Sequence, residues 1–116
     1  MKSLKKKKII NLIRKKASQS SCKYKISAIA LNKKSEIIAQ AINKHGQNEN
    51  DYYRGLHAEM ECLKKCKSTP TAMIIGRVNP AGDMLPIHPC NTCRKILEKK
   101  GIKIMTVSSD EDIERT

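Results

Sequence analysis

The chain has 116 residues, and 24 Lys or Arg against 11 Asp or Glu give it a formal net charge of +13. This length predicts a single domain, residues 1–116, with one hydrophobic core. Aromatic residues make up 3% of the chain and all are tyrosines, so the core must consist of aliphatic side chains, Met and Cys. No apolar run approaches the roughly 20 residues of a membrane span, and no secretory signal is indicated.

Five cysteines are an odd number, and Cys90 and Cys93 have the spacing of metal ligands. This use of cysteine favours a reducing compartment, in which thiols stay free for a metal, over a disulfide framework. The sequence therefore predicts a cytoplasmic protein, and a nuclear location is also compatible with it.

The positive charge is spread over the body of the chain as well as its start. Residues 1–16 carry eight basic and no acidic side chains, and residues 17–109 carry fifteen basic against seven acidic ones. Residues 108–116 form an acidic tail with four carboxylates and Arg115. A basic body attracts polyanions and phosphorylated small molecules, so nucleic acid is a possible partner. A surface of solvated lysines, typical of an AT-rich genome, explains the same composition equally well.

The first half of the chain predicts a helix followed by a hairpin. Residues 3–17 have an apolar stripe with lysines opposite, which predicts a basic amphipathic helix. Such a helix can bind a membrane or nucleic acid, but packing of its stripe on the domain is favoured. Residues 23–31 and 36–42 predict two strands joined by the turn 32–35, and residues 43–56 predict a loop.

The second half predicts alternating helices and strands: helix 57–67, central strand 71–78, loop 79–88, helix 90–100 with Gly101 as its C-cap, and strand 102–107. The acidic tail is compatible with either a final helical turn or a frayed end. This order predicts an α/β fold, a three-layer α/β/α sandwich with a mixed central sheet. The segments that begin at His57 and Pro89 then lie at helix N-termini on one side of the sheet.

Four side chains predict an enzyme with a metal. His57, Cys90 and Cys93 can bind zinc and leave its fourth position open for water, whose pKa falls from about 15.7 to roughly 7. Glu59 stands two residues after His57, where it can take a proton from that water and pass it to a ring nitrogen and a departing amine. Glu59 is not expected to be a fourth ligand, because ligation would exclude the water. This set suits hydrolytic removal of an amino group from an aromatic ring.

Two other ligand sets are weighed against this interpretation. Cys62, Cys66, Cys90 and Cys93 allow a closed structural zinc site on spacing alone. Cys62 and Cys66, however, lie one turn apart on the buried face of the predicted helix, where they are expected to be small core residues. His88 is an alternative ligand, but Pro89 is expected to direct its side chain away from the cysteine pair.

The H-x-E motif at 57–59 with P-C-x-x-C at 89–93 resembles the zinc-dependent cytidine deaminase superfamily, over roughly residues 22–107. The resemblance implies that His57, Cys90 and Cys93 are the zinc ligands and that Glu59 is the proton shuttle. It also implies a dimer or tetramer whose sites are completed by neighbouring subunits. The remaining implied contacts are to the substrate: Asn43 to the ribose, backbone groups of Ala58 and His88 to the base, and the carbonyl before Pro89 to the leaving amine.

The branch of the superfamily stays open. Residues 93–97 and the N-terminal helix are similar to free-nucleoside cytidine deaminases, and Asn48–Asn50 resembles their ribose-binding segment. His57 and Gly101–Lys103 are similar to deoxycytidylate, tRNA-adenosine and polynucleotide deaminases. The expected function is conversion of a cytosine base to uracil in cytidine, deoxycytidine or dCMP, with release of ammonia. The alternatives are deamination of cytosine or adenine within single-stranded DNA or RNA, and a non-catalytic, zinc-stabilised nucleic-acid-binding module.

Overall fold

The computed structural model describes residues 3–44, 57–110 and 112–115, with the backbone alone for residues 3 and 4. Asn48–Asn50 and most of the loop predicted over 43–56 lie outside the described residues. Of the described helices, none combines the length and apolar character that a membrane span requires. The elements are α1 Ser3–Ala17, β1 Lys25–Leu31, β2 Ile37–Ile42, α2 Ala58–Lys65, β3 Ala72–Val78, β4 Met84–Leu85, α3 Asn91–Lys99, β5 Lys103–Val107 and β6 Ile113–Arg115.

The strands form one mixed sheet in the order β2-β1-β3-β5-β6, with β4 paired to the end of β3. β3 and β5 run parallel, and the other pairs are antiparallel. β1 and β2 form the predicted hairpin, and β1 is also the antiparallel neighbour of β3. The prediction of a mixed central sheet is confirmed.

Helices cover both faces of this sheet, because successive side chains of a strand point to opposite sides. One face packs on α1 and the other on α2 and α3, so the predicted three-layer α/β/α sandwich is confirmed. The apolar stripe of α1 packs on the sheet, as favoured from the sequence. The α1 side of the core contains Ile9, Ile10, Ile13, Ile29, Leu31, Ile74 and Val107. The other side contains Ala28, Ala30, Ala41, Ala58, Cys62, Met73, Ile75, Leu97, Ile102 and Ile104.

The connections bring the starts of α2 and α3 to the same end of the sheet. β2 and β3 run in the same direction on either side of β1, and α2 connects the end of one to the start of the other. α3 likewise connects β3 to its parallel neighbour β5. Each crossover helix must therefore begin near the C-terminal ends of these strands and return. In open α/β sheets this end is where ligand sites form.

Gly101 ends α3 as predicted. Its φ is +76°, a left-handed conformation that glycine adopts without steric cost. The Ile102 N–H donates to the Leu97 carbonyl at 3.0 Å and the Gly101 N–H to the Glu98 carbonyl at 3.0 Å, as in a Schellman C-cap. The chain can then turn directly into β5.

The described residues of the acidic tail correct the sequence prediction, because they include a strand where a helical turn or a frayed end was expected. Residues 113–115 form β6, which pairs antiparallel with β5 and covers the edge that β5 would otherwise expose. Asp110 pairs with Arg14 of α1 at 2.5 Å, and Asp112 pairs with Lys6 at 3.4 Å. These exposed pairs contribute about 0 to 1 kcal/mol each. The predicted loop 79–88 also contains β4, which folds back on β3 through the turn at Asn79–Asp83.

We expect Gly76→Ala to destabilise the protein by about 1 to 3 kcal/mol, the usual cost of forcing extra volume into a packed core. A Cβ atom on Gly76 would overlap Cγ2 of Ile13 in α1 and would lie 3.0 Å from Cε of Met84. Ile13 is fully buried and β-branched, so it cannot rotate away without moving the helix. Urea denaturation measures the effect.

A double-mutant cycle separates this overlap from a general loss of packing. Ile13→Ala alone should cost about 2 to 5 kcal/mol. In that background, Gly76→Ala should cost little, because the overlapping methyl group is gone. Additive costs of the two substitutions would contradict the proposed contact.

Candidate metal centre and active site

The structure brings together the three residues that the sequence predicts as metal ligands. His57 is the N-cap residue of α2, Cys90 is the N-cap residue of α3, and Cys93 lies in the first turn of α3. One ligand atom from each lies within 4.8 Å of the other two. Cys93 is buried, Cys90 is half-buried and His57 is exposed, so the group opens to solvent on its histidine side.

This donor set fits zinc with an open coordination position. Zinc bonds of about 2.0 to 2.3 Å to nitrogen and sulfur put tetrahedral ligand atoms roughly 3.3 to 3.8 Å apart. The limit of 4.8 Å on their separations exceeds that spacing by no more than about 1.5 Å. Neither N-cap side chain binds its own helix, so both first turns present backbone N–H groups and the positive end of the helix dipole. That field stabilises the thiolate that forms when a cysteine gives up its proton and binds metal.

Glu59 lies beside the metal group and is almost fully buried, with 3% of its surface exposed. The pKa of the Cys93 thiol is raised to about 12, chiefly by burial and further by the charges of Glu59 and Cys90 and by hydrogen bonds with both. Glu59 thus interacts directly with a candidate ligand. A carboxylate in a shielded position next to a metal can hold a proton and pass it to a bound molecule.

The predicted substrate-contact residues have different surroundings. Ala58 is fully buried in the first turn of α2, where its N–H has no intrahelical acceptor. Pro89 is buried immediately before Cys90, and His88 is exposed. The His88 side chain is not part of the metal group.

The side chain of Asn43 bonds within the protein. Its Oδ1 accepts hydrogen bonds from Ser20 Oγ at 2.7 Å and the Ile26 N–H at 3.0 Å. Its Nδ2 donates to the Tyr24 carbonyl at 2.5 Å. These bonds fasten the end of β2 to β1 and to the segment after α1. A contact between Asn43 and a ribose would therefore have to share or replace them.

Cys62 and Cys66 do not belong to the metal group. Within the described ranges, the residues grouped at metal-binding distance are His57, Cys90 and Cys93. Cys62 is fully buried in the core, where burial raises the pKa of its thiol to about 12. Cys66 donates a hydrogen bond from its thiol to the Cys62 carbonyl at 3.4 Å. The alternative of a closed four-cysteine site is therefore not supported, and both residues are part of the packing, as expected.

Sequence reasoning missed Arg77 and Tyr24, which lie at the same end of the sheet. The Arg77 guanidinium carbon lies 4.5 Å from the centre of the Tyr24 ring. The sequence did contain a signal for Arg77, since it interrupts the otherwise apolar strand β3 one residue before its end. Reading that signal required knowing which face of the sheet the arginine occupies.

Residues 4–109 match the family described as the cytidine and deoxycytidylate deaminase zinc-binding region. The chain belongs to this family. The match covers far more than half of the chain and includes both motifs, and it confirms the resemblance stated from the sequence. The zinc cofactor is supported by the family and by the group that His57, Cys90 and Cys93 form.

Solved structures of deaminases share the fold at low sequence identity. The cytidine deaminase from Burkholderia pseudomallei is 16% identical, with a TM-score of 0.72 over 100% of this chain and 92% of its own. The cytidine deaminase from Mycobacterium leprae is 17% identical, with a TM-score of 0.61 over 91% and 88%. The dCMP deaminase from the cyanophage S-TIM5, in complex with dCMP and dUMP, is 20% identical, with a TM-score of 0.64 over 91% and 82%. Among curated protein sequences, none gives a significant match.

For this deaminase-family chain, we expect the affinity for zinc to rise at least about tenfold per pH unit between pH 6 and 8. The Cys93 thiol has a pKa of about 12 in the metal-free protein, so it is protonated at neutral pH and must lose its proton when zinc binds. Raising the pH lowers the cost of that loss and therefore favours binding. Competition with a chelator of known affinity at several pH values measures the slope. An affinity independent of pH would show that no ligand loses a proton.

Proposed function

We propose that this protein is a zinc-dependent hydrolytic deaminase that converts a cytosine base to uracil in a free nucleoside or nucleotide, with release of ammonia. The observation that carries the proposal is the meeting of His57, Cys90 and Cys93 within 4.8 Å, beside the buried Glu59. A purely structural zinc site has four protein ligands and needs no carboxylate next to it. Three donors and a buried glutamate are suited to chemistry instead.

His57, Cys90 and Cys93 would hold the metal. When bound, zinc supplies Lewis acidity, which makes water a competent nucleophile near neutral pH. Glu59 would accept a proton from the attacking water and deliver it to the ring nitrogen next to the reacting carbon. It would then accept the remaining proton of the added hydroxyl and deliver it to the amine as the bond between that amine and the carbon breaks. Water is consumed and ammonia leaves, so atoms and charge balance. A single carboxylate that first accepts and then donates protons can serve both halves of the reaction.

The chain's backbone would orient the base. The Ala58 N–H lies in the first turn of α2, where it has no intrahelical acceptor, and it would donate to an acceptor on the base. The carbonyl of His88 precedes Pro89 and Cys90, where it can accept a hydrogen bond from the leaving amine. These two groups would read the amide-like edge of cytosine from opposite sides.

The choice of a free nucleoside or nucleotide is supported by the composition of the chain. Binding of single-stranded nucleic acid relies on aromatic platforms for successive bases, and this chain has three tyrosines and no Phe or Trp. The cyanophage enzyme with the same fold binds dCMP and dUMP, both small nucleotides.

We further propose that the protein is a homo-oligomer and that it is located in the cytoplasm. Light scattering would test the oligomeric state, and cell fractionation would test the location.

Ammonia release from a substrate panel tests the proposal. The panel contains cytidine, deoxycytidine, CMP, dCMP, adenosine, guanine and a cytosine-bearing single strand, each with zinc-loaded protein. We expect turnover of at least one small cytosine compound. Activity on the single strand alone would replace the proposal with polynucleotide deamination. A protein with one zinc ion per chain and no activity on any substrate would contradict it.

A further inference from the structure

Arg77 lies on the face of the sheet that carries the metal group. Its neighbour Gly76 faces α1, since a Cβ there would meet Ile13, and successive strand residues point to opposite faces. Arg77 therefore points to the side covered by α2 and α3. In the sheet it pairs with Ile26 of β1, which packs against the core beneath these helices.

Arg77 also lies at the end of the sheet where the metal group is. The Cys62 thiol bonds to the Ala30 backbone, so the C-terminal half of α2 covers that part of β1. α2 runs opposite to β3 and therefore in the same direction as β1. Ala58 precedes Cys62 by one helical turn, so it lies nearer to the Ile26 end of β1. α3 begins at the same end, after the loop that follows β3. The starts of both helices, and with them His57 and Cys90, are thus above the end of β3 that carries Arg77.

The guanidinium has an aromatic support and lacks a protein anion within the described part of the chain. The Tyr24 ring is in cation–π distance on one side. The Arg77 Nε is buried without a hydrogen-bond partner. Each ion pair found among the described residues involves some other cation. A buried guanidinium nitrogen that lacks an acceptor is costly, so a bound ligand that brings an acceptor to Arg77 would be favoured.

We propose that Arg77 binds the phosphate of a pyrimidine nucleoside monophosphate, so that the substrate is a nucleotide and the nucleoside is a poor substitute. This inference rests on the proposed function, because it assumes a pyrimidine at the metal group. A guanidinium donates two parallel hydrogen bonds to a phosphate, and the Tyr24 ring would hold its plane in position. Arg77 is thus a specificity-determining residue.

Binding of reaction products tests the proposal without turnover. Calorimetric titrations compare UMP and dUMP with uridine and deoxyuridine, and use inorganic phosphate as a competitor. We expect zinc-loaded wild-type protein to bind a nucleotide at least about 10- to 100-fold more tightly than its nucleoside, the value of a single charge-assisted hydrogen bond. Arg77→Gln should remove this difference, and Arg77→Lys should keep part of it. Arg115→Gln is the matched control, because Arg115 lies on the edge strand β6. This variant should keep the full difference in affinity between nucleotide and nucleoside.

Several outcomes would overturn the proposal: no nucleotide preference in the wild type, no binding of any of the four products, or equal weakening of nucleotide and nucleoside by Arg77→Gln. A loss of stability in Arg77→Gln with an unchanged preference would make the residue structural. If Arg77→Gln does not fold, Tyr24→Leu takes its place, and an unchanged preference there counts against the proposal. Weaker binding of a cytosine-bearing oligonucleotide alone would assign Arg77 to a polynucleotide and overturn the nucleotide assignment.

These titrations and the ammonia-release assay together separate this proposal from the proposed function. Turnover of cytidine and CMP with equal efficiency, unaffected by Arg77→Gln, would leave the deaminase intact and refute the role of Arg77. A nucleotide preference that depends on Arg77, with no ammonia released from any cytosine compound, would support the role of Arg77 and contradict the deaminase activity.

Discussion

Glu59→Gln is expected to lower kcat by about 10²- to 10⁴-fold or more, the usual contribution of a positioned general acid–base group. Glutamine has nearly the same shape but can neither accept nor deliver the protons that the reaction moves. Glu59 is buried in contact with Cys93, so no bulk water is placed to replace it. The zinc content should stay at one ion per chain, because the carboxylate is not a proposed ligand. Ammonia release and metal analysis on the same preparations measure both quantities.

Glu61→Gln is the matched control for this prediction. Glu61 lies two residues further along α2 and forms an ion pair with Lys64 at 3.0 Å. The Glu61→Gln substitution removes a carboxylate from the same helix and leaves the metal group unchanged, so kcat should change little. Equal losses of kcat in the two variants would mean that a carboxylate on α2 acts on the fold rather than on the reaction. Loss of zinc in Glu59→Gln would assign Glu59 to the ligand set.

Cys93→Ala is expected to weaken zinc binding by well over about 100-fold and to abolish turnover. Loss of an outer-shell partner alone costs about 10- to 100-fold in metal affinity, and a ligand is worth more. Metal binding also stabilises the fold, by about 4 kcal/mol at a zinc concentration 1,000 times the dissociation constant. A chelator should therefore lower the Tm of the wild type and leave the Tm of Cys93→Ala unchanged. Thermal denaturation with and without chelator provides this measurement independently of activity.

Cys62→Ala and Cys66→Ala are the controls, because they remove a thiol outside the metal group. Cys62→Ala should lower stability, since it leaves a small cavity among fully buried side chains, but it should keep its zinc and its chelator-dependent Tm. Cys66→Ala should have a smaller effect on stability. Loss of zinc in either control would revive the closed four-cysteine site.

The sequence alone predicted the elements that local interactions determine. The apolar stripe of α1, the hairpin of β1 and β2 around the turn at 32–35, and Gly101 after α3 each depend on residues a few positions apart, so their patterns are visible in the chain. The group of candidate ligands was predicted for a related reason. Ligand chemistry restricts them to few residue types at short spacings, and a helix start at each motif brought His57 and Cys90 to one side of the sheet.

Tertiary structure alone decided the features that depend on distant partners. β6 forms because β5 offers unpaired backbone groups, and β4 forms because β3 does. The acidic tail and the proline-containing loop carry no local sequence pattern that would predict these two strands. The polar bonds of Asn43 join three separate segments, so the sequence could not show that its amide is engaged. Whether Arg77 faced α1 or the metal group depended on the register of β3, because a shift of one residue reverses every side chain of a strand.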